Sequence, residues 1–318
     1  TTIMFYWIYL TCANLMFNLY CVQATTQKAM IPGPHMEDID HQVSDCIEVT
    51  SSVGTFSFTS NGGSETCALY FIAEPEKIIS ISILAMNVNC NDGGAVVLMD
   101  GWELNGSFLP TESDHPKHLE DRYVEICGKY YRPKSFLLSS QNAAQFMYKL
   151  TQKGNYFKIL VKHIQNKYPC NVIMQDIHSV TTLRNHKRAQ NCSLIALFPA
   201  RIKFHEIHVG GKLWMLTKKT LVWGTVTDCR DKGSVNYVEV KGSSSFNTDN
   251  SKLKETICGF NYFPAKHDYS ILCDVTTVRL VSSLNANNAV TVQADLLDVE
   301  NLDLNDNILM CDQGEPEM

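Results

Sequence analysis

Apolar and polar residues alternate with period two over much of this chain. In Thr55-Phe56-Ser57-Phe58-Thr59 the two rings fall on one face of a strand, and Asn61-Gly62-Gly63 supplies a turn after it. Short apolar runs follow at Leu69 to Ile72, Ile78 to Ile83 and Ala95 to Met99, each bounded by Gly, Asn, Asp or Pro. Phe146 with Tyr148, and Phe157 with Ile159 and Val161, continue the alternation. The second half repeats it in Ile202 and Phe204, Val238 and Val240, Val278 and Leu280, and Val290 and Val292. No long stretch carries an apolar period of 3.6 residues. Many short strands separated by turn residues predict an all-β sandwich or barrel, here as two β domains with a boundary near residues 164–170.

The beginning of the sequence breaks the alternation. From Ile3 to Val22 it is mostly apolar and free of Lys, Arg, Asp and Glu, and the first charge is Lys28. Small residues at Val22 and Ala24 fit a signal-peptidase site, so residues 1–24 read as a cleaved leader, with an uncleaved membrane anchor as the alternative. Residues 25–45, which contain Ile31-Pro32-Gly33-Pro34, read as an exposed leading segment. The domains are expected at 46–165 and 166–318.

Of 12 cysteines, Cys12 and Cys21 lie in the leader. The other ten are Cys46, Cys67, Cys90, Cys127, Cys170, Cys192, Cys229, Cys258, Cys273 and Cys311, an even set that reads as a disulfide framework in an exported chain. Even the nearest pair, Cys258 and Cys273, is too widely spaced for the short Cys-x-x-Cys units of zinc sites. A net charge of −6 with both signs interspersed argues against nucleic acid as a partner.

Several motifs carry a resemblance. Cys90, Asp92, Val96-Val97-Leu98 and Asp100-Gly101 are followed by Cys127-Gly128, Ser139-Ser140-Gln141-Asn142, and Gly154 before Phe157. This order resembles a CUB domain. Cys229, Tyr237 to Gly242, Cys258-Gly259 and Val278 to Ser283 echo it in the second half. More narrowly, Asp100-Gly101-Trp102, Asp114-His115-Pro116, Arg122-Tyr123, Ser139 to Asn142, Pro169-Cys170-Asn171-Val172-Ile173 and Asn191-Cys192-Ser193 resemble, in order and separation, the corticotropin-releasing-factor-binding protein family.

That resemblance implies two tandem CUB-like antiparallel β-sandwiches with consecutive bridges: Cys46–Cys67, Cys90–Cys127, Cys170–Cys192, Cys229–Cys258 and Cys273–Cys311. It also implies a secreted protein that sequesters a corticotropin-releasing-factor-like or diuretic-hormone-like peptide, with no membrane association after leader cleavage. Such a ligand forms an amphipathic helix and calls for an apolar groove with charged rim positions. The family places an acid two residues after its first framework cysteine and a base four before it. Glu48 keeps the acid, whereas Gln42 lacks the positive charge. A general extracellular CUB adhesion or glycan-binding module is the runner-up, and a hydrolase the third class.

Asn191-Cys192-Ser193 and Asn105-Gly106-Ser107 are glycosylation sequons. Trp102 and Tyr123 read as core aromatics. Asp92 is one acid of the type that holds Ca²⁺ in some CUB domains. The Leu150 to Phe157 loop offers no second, so neither a metal nor another cofactor is expected. His205 and His208, three apart on a strand, should face opposite ways, and Lys187-Arg188 and Lys218-Lys219 read as surface charge. The usual nucleophile, P-loop and His-Glu-x-x-His signatures are missing, and no enzymatic activity is expected.

Overall fold

The computed structural model describes residues 39–210, 223–246, 250–264, 268–283, 286–298 and 307–311. The expected leader (1–24), residues 25–38 and Lys218-Lys219 lie outside the described residues.

Two β-sandwiches follow one another. In the first, one sheet runs Asp40–Gln42, Gly54–Thr59, Tyr156–Gln165, Lys77–Val88, Gly128–Tyr130, and Lys134–Leu138 also pairs with Lys77–Val88. The facing sheet runs Ile47–Thr50, Cys67–Ile72, Ala143–Lys149, Ala95–Asp100, Tyr123–Ile126. The side chains that alternation marks as inward close the space between them: Phe56, Leu69, Phe71, Ile81, Phe146, Phe157 and Ile159 have no exposed surface. Burial of such side chains contributes roughly 1.5–3 kcal/mol each.

The second sandwich reuses the plan. Val172–Ile173, Cys192–Ala196, Val275–Val281, Tyr237–Ser243 and Lys252–Asn261 form one layer. His178–Arg184, Ala289–Leu296, Ala200–Val209, Asp268–Leu272 and Ile308–Met310 form the other. Ile202, Phe204, Val238, Val240, Tyr269, Val278, Leu280, Val290 and Val292 pack between them.

The Cys-Gly pairs explain how the chain moves between layers. At Cys127-Gly128 it leaves the strand Tyr123–Ile126 of one sheet and enters Gly128–Tyr130 of the other. At Cys258-Gly259 a single strand does both: Lys252–Ile257 pairs with Tyr237–Ser243, and Gly259–Asn261 pairs with Ile207–Val209. Gly128 (φ +93°) and Gly259 (φ +107°) occupy backbone conformations that a Cβ disfavours.

Among the described residues the sheets are antiparallel inside, as expected, and parallel at four edges. Asp40–Gln42, Ile47–Thr50, Val172–Ile173 and Ile308–Met310 each run parallel to their neighbour. Two bridges account for two of these edges. Cys46–Cys67 and Cys170–Cys192, with Cα separations of 4.5 and 4.6 Å, tie the starts of neighbouring strands together. Cys90–Cys127, Cys229–Cys258 and Cys273–Cys311 complete the consecutive pairing that the resemblance implies. Each bridge contributes about 2–4 kcal/mol by restricting the unfolded chain.

Candidate functional site

The expected peptide-binding positions lie on adjacent edge strands of the first sandwich. Gln42 ends the strand Asp40–Gln42 in one layer and is exposed, its Oε1 accepting from Ser57 Oγ at 3.3 Å. The chain then turns inward at buried Val43, whose N–H donates to Ser57 O at 3.0 Å. Residues 40–43 are therefore built into the sandwich, although the sequence reads the whole of 25–45 as an exposed leading segment. After Cys46 the chain enters Ile47–Thr50, the edge of the other layer.

That edge strand is inverted. Glu48 is level with Leu69, which is fully buried, so its half-buried carboxylate points to the rim of the core. Ile47 and Val49 point outward and are 69% and 62% exposed. Tyr148 lies beneath this rim, and its phenol is pushed up to about 12, first by burial and then by the charge of Glu48. The arrangement offers an open backbone edge, two apolar side chains and one negative charge. An inward charge on an edge strand also opposes edge-to-edge pairing.

The motifs that carry the narrower resemblance lie elsewhere, at the junction of the two sandwiches. Ile72, Trp102, Leu109 and Ala143 of the first pack against Ile173, Ile195 and Val275 of the second. A polar seam borders this cluster. Gln141 Oε1 accepts the N–H groups of Cys170 (3.4 Å) and Asn171 (3.2 Å). Asn171 Nδ2 donates to Asp114 O at 2.7 Å, and its Oδ1 accepts Ser193 N and Oγ, both at 2.9 Å. Arg279 Nε donates to Asp114 Oδ1 at 2.7 Å, and Arg279 Nη1 reaches Glu239 Oε2 at 3.3 Å.

Asp100 anchors the first-sandwich side. Its carboxylate accepts Lys117 Nζ at 2.7 Å, Ser140 N at 2.7 Å and Ser140 Oγ at 2.6 Å, with His115 Nε2 3.4 Å away. Burial alone would raise this carboxyl. The hydrogen bond and charge of His115, then Lys117 and Ser140, outweigh burial and hold it at about 2. Buried Arg122 donates to the carbonyls of Asp100 (3.0 Å) and Pro110 (2.9 Å), and burial brings it down to about 10.

The remaining sequence expectations divide. Trp102 is buried, its Nε1 donating to Phe71 O at 3.0 Å, whereas Tyr123 is 49% exposed and not core, because Tyr123–Ile126 is a sheet edge. Asn105 is exposed at the tip of the hairpin Trp102–Leu104/Ser107–Leu109, and Asn191 is half-buried beside Ser113. His205 and His208 both face outward, not oppositely, because the register shifts between Phe204 and Glu206. They have separate partners: His205 meets Gln293 Oε1 at 2.7 Å, and His208 packs on Phe260 at 4.7 Å between ring centroids. Arg188 lies over the Tyr168 ring at 4.5 Å. Asp92 accepts from Asn89 (2.8 Å) and from Gln152 of the Leu150 to Phe157 loop. Among the described residues, no three His, Cys, Asp or Glu side chains gather around a common point, and no helix is long and apolar enough to cross a membrane.

The strand order, the repeated Cys-Gly crossing and the five bridges define a tandem CUB-like double sandwich whose halves meet through a dedicated junction. Residues 38–165 match the "Corticotropin-releasing factor binding protein N-terminal domain" and residues 172–303 the corresponding C-terminal domain. The chain belongs to the corticotropin-releasing-factor-binding protein family. It is 33% identical over 253 residues to that binding protein of Xenopus laevis, covering 80% of this chain and 76% of the relative. The rat and human proteins are 32% and 31% identical over 248 residues, 78% of this chain and 74% of each relative. The relatives are named as binding proteins, not as enzymes. The solved CUB1-EGF-CUB2 region of rat MASP-1 aligns with 80% of this chain and 100% of its own length, at 10% identity and a TM-score of 0.26.

Proposed function

We propose that this chain is an exported carrier that captures a corticotropin-releasing-factor-like or diuretic-hormone-like peptide at the inverted edge of its first sandwich and limits its access to a receptor. Family membership supports the ligand class. The observation that carries the location is the pattern of Ile47–Thr50: Ile47 and Val49 turned to solvent, with Glu48 between them at the rim. The apolar face of an amphipathic peptide covers the two aliphatic side chains, and a basic group of the peptide meets Glu48, which fixes register. Exposed Gln42 offers a neutral amide where the resembled family has a cation, which favours a ligand with less acid at the facing position.

Fluorescence anisotropy of labelled peptides of both kinds, titrated into the mature bridged chain, tests this reading. Saturable binding to either is expected. Glu48→Gln should weaken it about tenfold or more, the loss of one charge-assisted contact, and Gln42→Arg should change the preference between the two peptides. A folded, bridged chain that binds neither peptide overturns the capture role and leaves the adhesion or glycan-binding reading.

A further inference from the structure

The two sandwiches repeat one corner, closed in the second and open in the first. Val49 and Ile173 each lie three residues after the first cysteine of a bridge, and each is level with the residue three after the second, Tyr70 and Ile195. In a parallel edge strand, alternate residues turn their backbone groups to the neighbour and the others turn them outward. Cys46 O accepts Ala68 N at 2.7 Å, and Met174 N donates to Ile195 O at 2.8 Å. The N–H and C=O of both Val49 and Ile173 are therefore the outward ones. In the second sandwich this corner is occupied by the first: Asn142 takes both backbone groups of Ile173, and Ile72, Trp102, Leu109 and Ala143 share a cluster with its side chain. Ile173 is 2% exposed, whereas Val49 is 62% exposed.

The open corner is continuous with the junction, because Tyr70 meets Trp102 of the junction cluster edge-on at 5.4 Å between ring centroids. It differs in charge: Glu48 stands where the second sandwich has buried Val172. A second copy cannot close it with its own Asn142, which is 1% exposed and already bonded to Ile173. A helical peptide cannot add to it as a strand, because its backbone groups bond within the helix. Only a side chain can then serve Val49. A carboxamide carries a donor and an acceptor side by side, whereas a carboxylate only accepts and Lys and Arg only donate.

We infer that the captured peptide presents an Asn or Gln side chain to Val49, its oxygen accepting the Val49 N–H and its NH₂ donating to the Val49 carbonyl. Asn142 makes this same pair of bonds to Ile173. Apolar side chains of the peptide beside that amide cover Val49 and Tyr70, and its base meets Glu48. The inference rests on the peptide capture proposed above and names the contact by which the site selects among peptides.

The test uses the mature bridged chain and each labelled peptide that binds it in the anisotropy assay. Every Asn and Gln of the peptide is replaced by Ala in turn. One replacement should weaken binding about thirtyfold, the factor for two neutral hydrogen bonds. Val49→Pro removes the outward N–H and no ladder bond, a change that edge strands tolerate. Against this variant the same peptide replacement should cost only about fivefold, because one bond remains to be lost. Hydrogen exchange in the unsubstituted protein gives a second reading. The Val49 amide should exchange fast in the free chain and at least tenfold more slowly with saturating peptide, with the ladder-bonded amide of Glu48 as the reference. Binding that Glu48→Gln weakens but no Asn or Gln replacement does overturns the inference and leaves the capture site standing. The inference also fails if the replacement costs the same against Val49→Pro. It fails again if the Val49 amide is already slow in the free chain, which means that the chain itself or a second copy covers this edge. A folded chain that binds neither peptide overturns both readings.

Discussion

Asn142 pairs with Ile173 as if the two were neighbours in a β-ladder. The Ile173 N–H donates to Asn142 Oδ1 at 3.0 Å, and Asn142 Nδ2 donates back to Ile173 O at 2.8 Å. One side-chain amide of the first sandwich thus completes the backbone of the second, and it also reaches Ala73 O at 2.8 Å. Asn142→Ala strands three buried backbone groups and should destabilise the bridged protein by about 3 kcal/mol or more, since each unsatisfied buried group costs about 1–3 kcal/mol. Urea denaturation without reductant measures it. An unchanged midpoint would show that water replaces the amide.

Asp100 makes the junction sensitive to acid. Its folded-state carboxyl sits at about 2, against an ordinary value of 3.8. A depressed carboxyl contributes stability that is fully present above its unfolded value and is lost as pH falls through its folded value. That contribution, about 2 kcal/mol, should fade between pH 4 and 2. Denaturation midpoints measured across this range should fall less steeply in Asp100→Asn, which is already destabilised at neutral pH because Lys117 loses its buried partner.

The two Cys-Gly crossings should behave alike. Gly128→Ala and Gly259→Ala each force a Cβ into a positive-φ conformation and should cost about 1–2 kcal/mol. Gly63 is the control, because its φ lies outside the positive region and a Cβ added there meets no atom within 4 Å. Gly63→Ala should leave the thermal midpoint unchanged. Equal midpoints for all three variants would mean that the crossings do not depend on glycine.

These results separate what a sequence displays from what it conceals. Strand faces were legible because period-two alternation is local: Phe56, Phe146, Phe157, Val240 and Val292 all point into the cores. The Cys-Gly repeats announced two units for the same reason. The junction was not legible. Asp100, Asp114, Asn142, Asn171 and Arg279 are far apart in the chain and meet only after both sandwiches form. The motifs containing the first four could mark a family without disclosing that their shared task is to join its halves. Tyr123 and the His205/His208 pair were misread because an edge position and a bulge both break the alternation rule. Ile47 and Val49 carry the opposite lesson. Their outward orientation follows from the parallel register with Cys67–Ile72, which a bridge sets and periodicity does not.

Glu48 and Tyr148 give a ligand-independent test of the rim geometry. The Tyr148 phenol is raised to about 12, by burial first and by the Glu48 charge second. Glu48→Gln should therefore lower it without returning it to its ordinary value of 10.0, because burial persists. A phenol raised on folding stays protonated while the unfolded chain ionises, so stability declines as pH rises from about 10 towards 12. The variant should narrow that alkaline decline from its upper end. Titration of tyrosinate absorbance, with Tyr148→Phe identifying the contributing ring, reads the shift directly. If Glu48→Gln leaves the late-titrating phenol where it was, the carboxylate does not face Tyr148 across the rim. The inverted edge on which the proposed peptide site rests would then be wrong, whatever the binding assay shows.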